Sequence, residues 1–143
     1  MDLLSRHYRF VVMDMEAGME HFSRGTIGIP DLLLVVTDPG ARGVRTAGRI
    51  RDLAITLGIP HGRIFFVVNR AGMAGAGGGI GAAAGSEPLP DPARILASIP
   101  DDAEVELADL EARPIVSIPD QSLARLAVKG LAERVCSLCA AKD

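Results

Sequence analysis

Asp14 is the first residue whose setting points to chemistry. It ends the apolar run Phe10-Val11-Val12-Met13, and Gly18 follows four residues later. A buried parallel strand that delivers a carboxylate to its carboxyl end and then turns has this form, and in open α/β sheets ligands sit outside those ends. A carboxylate for magnesium and a glycine whose amide can approach a phosphate make up the metal side of a nucleotide site. Asn69-Arg70 close a second apolar run, Arg63 to Val68 (RIFFVV), and are therefore expected on the same edge as Asp14. The phosphate side has no candidate. A Walker loop needs G-x-x-x-x-G-K-[ST], and the only lysines are Lys129 and Lys142, near the carboxyl end. Gly77, Gly79 and Ala82 satisfy G-x-G-x-x-A, but in a stretch made almost wholly of Gly and Ala with no helix pattern opening after it, so the match is read as chance.

Cys136 and Cys139 form the second chemical group. On a helical projection Cys136 falls among Ser122, Arg125 and Lys129, away from the apolar stripe of its segment. Two readings stay open. The thiols face solvent at a helix terminus, or they supply half of a zinc or nickel site that a second copy in a homodimer completes. His7, His21 and His61 are scattered and read as surface or capping residues; His21 stands out for its neighbours Glu16, Glu20 and Arg24.

The elements that must position these residues follow from periodicity. Asp31 to Thr37 (DLLLVVT) is a continuously apolar run, as expected of a strand covered on both faces, and Asp38-Pro39-Gly40 breaks it. From Ala41 to Leu57 the pattern is helical, with Val44, Ala47, Ile50, Ala54 and Leu57 on one stripe, closed by Gly58 and Pro60. Arg94 to Ile99 is a short strand stopped by Pro100; Val105 to Leu110 is helical; Pro114 to Ile118 reads as a final short strand or extended piece. Asp120 is the expected cap of a last helix from Gln121 to about Ala140, with its stripe on Leu123, Leu126, Ala127, Leu131, Val135 and Leu138. Strand, strand, helix, strand with short connections predicts an α/β fold, a parallel sheet flanked by helices. The uncharged Gly/Ala-rich stretch 71–85 is expected to be the body of a flexible loop over 71–90.

Composition bounds the rest. A chain of 143 residues fits one domain, 1–143, and can bury about 70% of the surface its unfolded form exposes. Net charge is −3, with no dense basic block among thirteen arginines and two lysines, so no nucleic-acid or anionic-membrane footprint is visible. Apolar runs fall far short of the roughly 20 residues that span a bilayer. The opening MDLLSRHYRF does not read as a signal peptide, and two cysteines suggest no disulfide framework, which makes the cytoplasm the expected compartment.

With these residues in view, Asp14 to Thr26, D-M-E-A-G-x-E-H-x-x-R-G-T, resembles the switch region of the CooC-type ATPases, which assist nickel insertion into carbon monoxide dehydrogenase and belong to the MinD-like branch of the P-loop ATPases. Arg45-Thr46-Ala47 with Arg49-Ile50 resembles the helix after that family's next strand, Asn69-Arg70 its base-contacting strand end, and Ile99-Pro100-Asp101-Asp102 its I-P-x-D loop. The resemblance implies that Asp14 holds magnesium through water, that Gly18 contacts the terminal phosphate, and that Asn69, Arg70, Pro100 and Asp102 lie around the adenine of ATP. Glu16, Glu20, His21 and Arg24 would be switch residues. The family's P-loop, first helix and Cys-x-Cys metal site have no counterpart in these 143 residues, and Cys136 and Cys139 do not correspond to that site.

The expected fold is thus a partial P-loop NTPase-like sheet without the P-loop strand and first helix. That strand belongs between the Phe10 to Asp14 strand and the Leu32 to Thr37 strand, so two facing strand edges are left unpaired unless they join or a partner fills the slot. The expected function is part of a nucleotide-dependent maturation factor for carbon monoxide dehydrogenase. It would have no ATP hydrolysis of its own and would depend on a P-loop half or a full-length relative as partner. The alternative is a non-enzymatic binding or dimerisation module derived from a MinD-like ATPase.

Overall fold

Leu33 to Thr37 is the first strand, β1, of the computed structural model, which describes residues 7–15, 29–72 and 91–140. Its run of Leu and Val is covered on one face: Val35 and Thr37 are buried, whereas Val36 between them is 60% exposed. Helix α1, Ala41–Thr56, packs on β1. It buries Val44, Ala47 and Ala54, with Ile50 and Leu57 against the same core, as the 3.6-residue stripe predicts. The helix stops in a Schellman arrangement. Ile59 N–H donates to the Ala54 carbonyl and Gly58 N–H to the Ile55 carbonyl, both at 3.0 Å, and Gly58 takes φ +91°, a conformation that favours glycine. Ile59, delivered by that turn, is buried in the core.

Strand β2, Ile64–Ala71, lies centrally, with β1 parallel on one side and β3, Ile95–Pro100, parallel on the other. Ile64, Phe66, Val67 and Val68 are essentially inaccessible, as expected of a strand covered on both faces. Between Val68 and Ala71 the register with β3 slips, and Arg70 adopts φ 51°. This bulge reverses the alternation, so Ala71 returns to the core face that Phe66 and Val68 occupy. Helix α2, Ala103–Leu110, follows β3. Helix α3, Leu123–Ala140, packs back on β3, and the Arg134 guanidinium donates to the Leu96 carbonyl.

Several expectations are corrected. Phe10 to Met13 is not a strand: residues 7–15 are irregular and mostly exposed, with Val12 at 92%. Among the described residues no strand lies beside this run, and an apolar run without a neighbour has no ladder to join. Pro114 to Ile118 is not a strand, and only its ends are extended. Ile115–Ser117 form a 3₁₀ turn closed by Ser117 N–H on the Pro114 carbonyl, and Arg125 holds the Val116 and Ile118 carbonyls. Asp120 does not cap the last helix; it pairs with Arg125, and the helix begins after Ser122. The stripe of that helix is shifted as well, since Leu123 and Leu126 are half-exposed and Ala124 is buried. The Gly/Ala-rich loop beyond Gly72 lies outside the described residues, as does the switch region from Glu16 to Thr26. No helix among the described residues is long and apolar enough to cross a membrane.

Candidate functional site

Parallel strands that start together end together, and here the carboxyl ends of β1, β2 and β3 bring Thr37-Asp38, Asn69-Arg70 and Pro100-Asp101-Asp102 to one edge. The register Thr37↔Val68 sets Asp38 beside the bulge, and Arg70, turned outward by its positive φ, reaches it. Its Nε and second terminal nitrogen donate to the two carboxylate oxygens at 3.2 and 2.6 Å. The hydrogen bond from Arg70, helped by its charge, lowers the Asp38 pKa, and the same contact raises that of Arg70. Both side chains are exposed, so the pair orients the strand ends more than it stabilises them.

Asp102 is tied more tightly. Its Oδ2 accepts from Ala124 N–H at 2.9 Å and from the Ser122 hydroxyl at 2.6 Å, and its Oδ1 accepts from Glu104 N–H at 2.9 Å. One carboxylate therefore caps α2 and the start of α3, and joins the loop after β3 to both. The backbone N–H of Ala124, then the Ser122 hydroxyl and the Glu104 N–H, lower its pKa. Asp101 N–H donates to the Ala71 carbonyl at 3.1 Å, which holds the same loop against the end of β2. Asn69 is half-buried between these two tethered loops.

Beside β1 a cleft of about 400 Å³ opens between its end and the first turns of α1, lined by Thr37, Asp38, Gly40, Arg42 and Thr46. Gly43 sits at its back: a Cβ there would lie 2.5 Å from the Asp38 carbonyl oxygen and 2.7 Å from the Thr37 hydroxyl. Only glycine lets α1 approach the strand end this closely.

The structure brings together Asn69, Arg70, Pro100 and Asp102. Asp14 is exposed on irregular chain and is not at a strand end. Glu16, Gly18, Glu20, His21 and Arg24 lie outside the described residues. Cys136, exposed, and Cys139, half-buried, are both free thiols on α3, and no group of three or more His, Cys, Asp or Glu able to hold a metal occurs among the described residues. The Asp38–Arg70 pair and the use of Asp102 as a double cap were not expected from the sequence. The first was visible only through the strand register; the second was signalled by Asp102 standing before Ala103-Glu104, an N-cap position.

A carbon monoxide dehydrogenase accessory protein, CooC, of Rhodospirillum rubrum is 51% identical to this chain over 57 residues, 40% of the chain and 22% of that protein. An uncharacterized ATP-binding protein of Methanocaldococcus jannaschii is 45% identical over 69 residues, 48% of the chain and 27% of that protein. The solved cell division ATPase MinD of Pyrococcus furiosus superposes with a TM-score of 0.53 at 23% identity, over 76% of this chain and 43% of that one. The chain matches part of the CooC- and MinD-like ATP-binding proteins. Its three-stranded sheet with flanking helices is a fragment of the MinD-like P-loop NTPase fold. The matched stretch spans only about a quarter of the length of the two curated relatives. No family model matches the chain.

Proposed function

We propose that the chain supplies the switch and base-side elements of a nucleotide-dependent accessory protein for nickel insertion into carbon monoxide dehydrogenase. The observation that carries this reading is the convergence of Asn69-Arg70 and Pro100–Asp102 at the carboxyl ends of adjacent parallel strands, where open α/β sheets take their ligands. The 51% identity to a protein named for that accessory role supports the client. The residues fit the base. Asn69 offers an amide with donors and an acceptor for an adenine edge, and Pro100 an apolar surface for its face. Asp102, its oxygens engaged by three donors, acts by holding the loop in place.

The residues do not fit the phosphates. Lys129 is on α3 and Lys142 lies further along the sequence, so nothing here plays the phosphate-loop lysine. The cradle for ATP and its magnesium comes from residues outside these 143, on the same or another polypeptide, and Asp14 with Gly18 answers to it as the switch. Nickel is cargo for the client in this reading, and the setting is cytoplasmic.

The test is equilibrium binding of adenine nucleotides to the chain with and without a P-loop-bearing segment of a CooC relative. Expected are weak binding alone with no magnesium-dependent turnover, a gain in affinity on mixing, and loss of that gain in Asn69→Ala. Tight, magnesium-dependent ATP binding by the chain alone, or mixing without effect, contradicts the reading. A second reading, a non-enzymatic module that docks onto a full-length relative or forms a homodimer, is favoured by one observation: Val36 is 60% exposed on the edge strand. Capture of a full-length relative with no response to nucleotide selects it.

A further inference from the structure

The cysteine pair stands outside the nucleotide reading. Cys136 and Cys139 are three residues apart in the last turns of α3, both thiols free. Residues at that spacing lie on one side of a helix with Cβ atoms about 5–6 Å apart, so both sulfurs can address one point. A tetrahedral zinc ion would find only half its ligands there. A soft monovalent d10 cation has other needs: it prefers thiolates, and two of them in line complete its coordination. If the zinc–thiolate distance of about 2.3 Å sets the scale, a linear S–metal–S unit spans about 4.6 Å, within reach of the pair.

Charge is the remaining problem. One such cation with two thiolates carries a net charge of −1, close to the negative end of the helix dipole. Arg9 lines the same cleft of about 320 Å³ as Cys136, with Phe10, Ser137 and Ala140. Its guanidinium, 5.6 Å from the centre of the Phe10 ring, is the cation of that cleft, and Phe10 and Ala140 give the cleft apolar walls; Cys139, one turn on from Cys136, is half-buried beside it in sequence and is not among the lining residues.

We propose that Cys136 and Cys139 form a binding site for a soft, two-coordinate d10 cation of the copper(I) class, with Arg9 as its charge partner. Two S–H bonds are replaced by two S–metal bonds and two protons pass to solvent; neither sulfur nor metal changes oxidation state. None of the strand-end residues takes part; Arg9 and Phe10 adjoin the run that the nucleotide reading returns to the sheet, so the copper(I) test is made on the chain alone, where that run is irregular.

The test is anaerobic titration of the 143-residue chain with copper(I) against a chromophoric copper(I) chelator, with zinc(II) in a parallel competition. Expected are one copper(I) per chain, two sulfur neighbours in X-ray absorption, and no zinc(II) retained. Arg9→Gln is expected to weaken copper(I) binding about 10-fold, and Cys136→Ser or Cys139→Ser by more than the roughly 100-fold upper end of outer-shell effects. Cys136→Ala and Cys139→Ala, with helix content followed by circular dichroism, separate loss of ligand from loss of fold. Copper(I) retained by the folded double variant overturns the proposal, as does zinc(II) bound equally tightly at one metal per two chains.

Discussion

Phe10-Val11-Val12-Met13-Asp14 and Leu33-Leu34-Val35-Val36-Thr37 are close to interchangeable as sequences, yet the second is a strand and the first is irregular chain. The difference is in what lies beside them. Leu33 to Thr37 pairs residue for residue with Ile64 to Val68, and its inner side chains meet α1. No strand among the described residues stands next to Phe10 to Met13, and Val12 is left 92% exposed. Apolar composition states that a segment suits a buried strand; a neighbour with unpaired amides decides whether it becomes one. Among the described residues β1 has no strand on its outer side, and none lies beside the Phe10 run.

That contrast can be pressed by substitution. Phe66→Ala, in the central strand, is expected to cost about 3–5 kcal/mol in denaturant unfolding, whereas Val12→Ala should stay within about 0.5 kcal/mol. A Val12 effect of core size would mean that the run is packed after all. Gly43→Ala, which forces a methyl into the Asp38 carbonyl, is expected to cost about 1–3 kcal/mol. Gly58→Ala, at φ +91°, is expected to cost about 1–2 kcal/mol.

Much of the sheet was legible from sequence because its signals are local. Val44, Ala47 and Ala54 report the buried face of α1 by spacing, Gly58 its end, and RIFFVV a strand covered on both sides. What was not legible depends on pairing or on distant partners. The bulge at Arg70 belongs to the pairing of β2 with β3, and the contact of Arg70 with Asp38, 32 residues away, to the pairing of β2 with β1. Helix α3 starts at Leu123 because a carboxylate from Asp102, about twenty residues earlier, takes the Ala124 N–H; the nearby Asp120, which looked like the cap, has Arg125 as its partner. Asn69, Arg70, Pro100 and Asp102 could be placed as strand-end residues, but the division of labour between reading a base and holding a loop could not.

The Asp102 cap gives a smaller, pH-dependent test. Its pKa is lowered by donors present only in the fold, so its contribution is complete above the ordinary carboxyl value of about 3.9 and is lost as pH falls through the lower folded value. Stability followed from pH 6 downward should therefore fall below about pH 4 in the native chain, and less steeply in Asp102→Asn. Identical acid profiles would show that the carboxylate is not held by Ala124, Ser122 and Glu104.

Whether the Phe10 run becomes a strand when a partner supplies its neighbour is measured by hydrogen exchange at Val11, Val12 and Met13, on the chain alone and then with a P-loop-bearing segment of a CooC relative. Expected are rapid exchange alone, beside slow exchange at Phe66 to Val68, and protection of Val11 to Met13 together with the Leu33 to Thr37 edge once the segment and ATP are added. Protection of Val11 to Met13 in the chain alone, or continued rapid exchange with both added, would contradict this expectation.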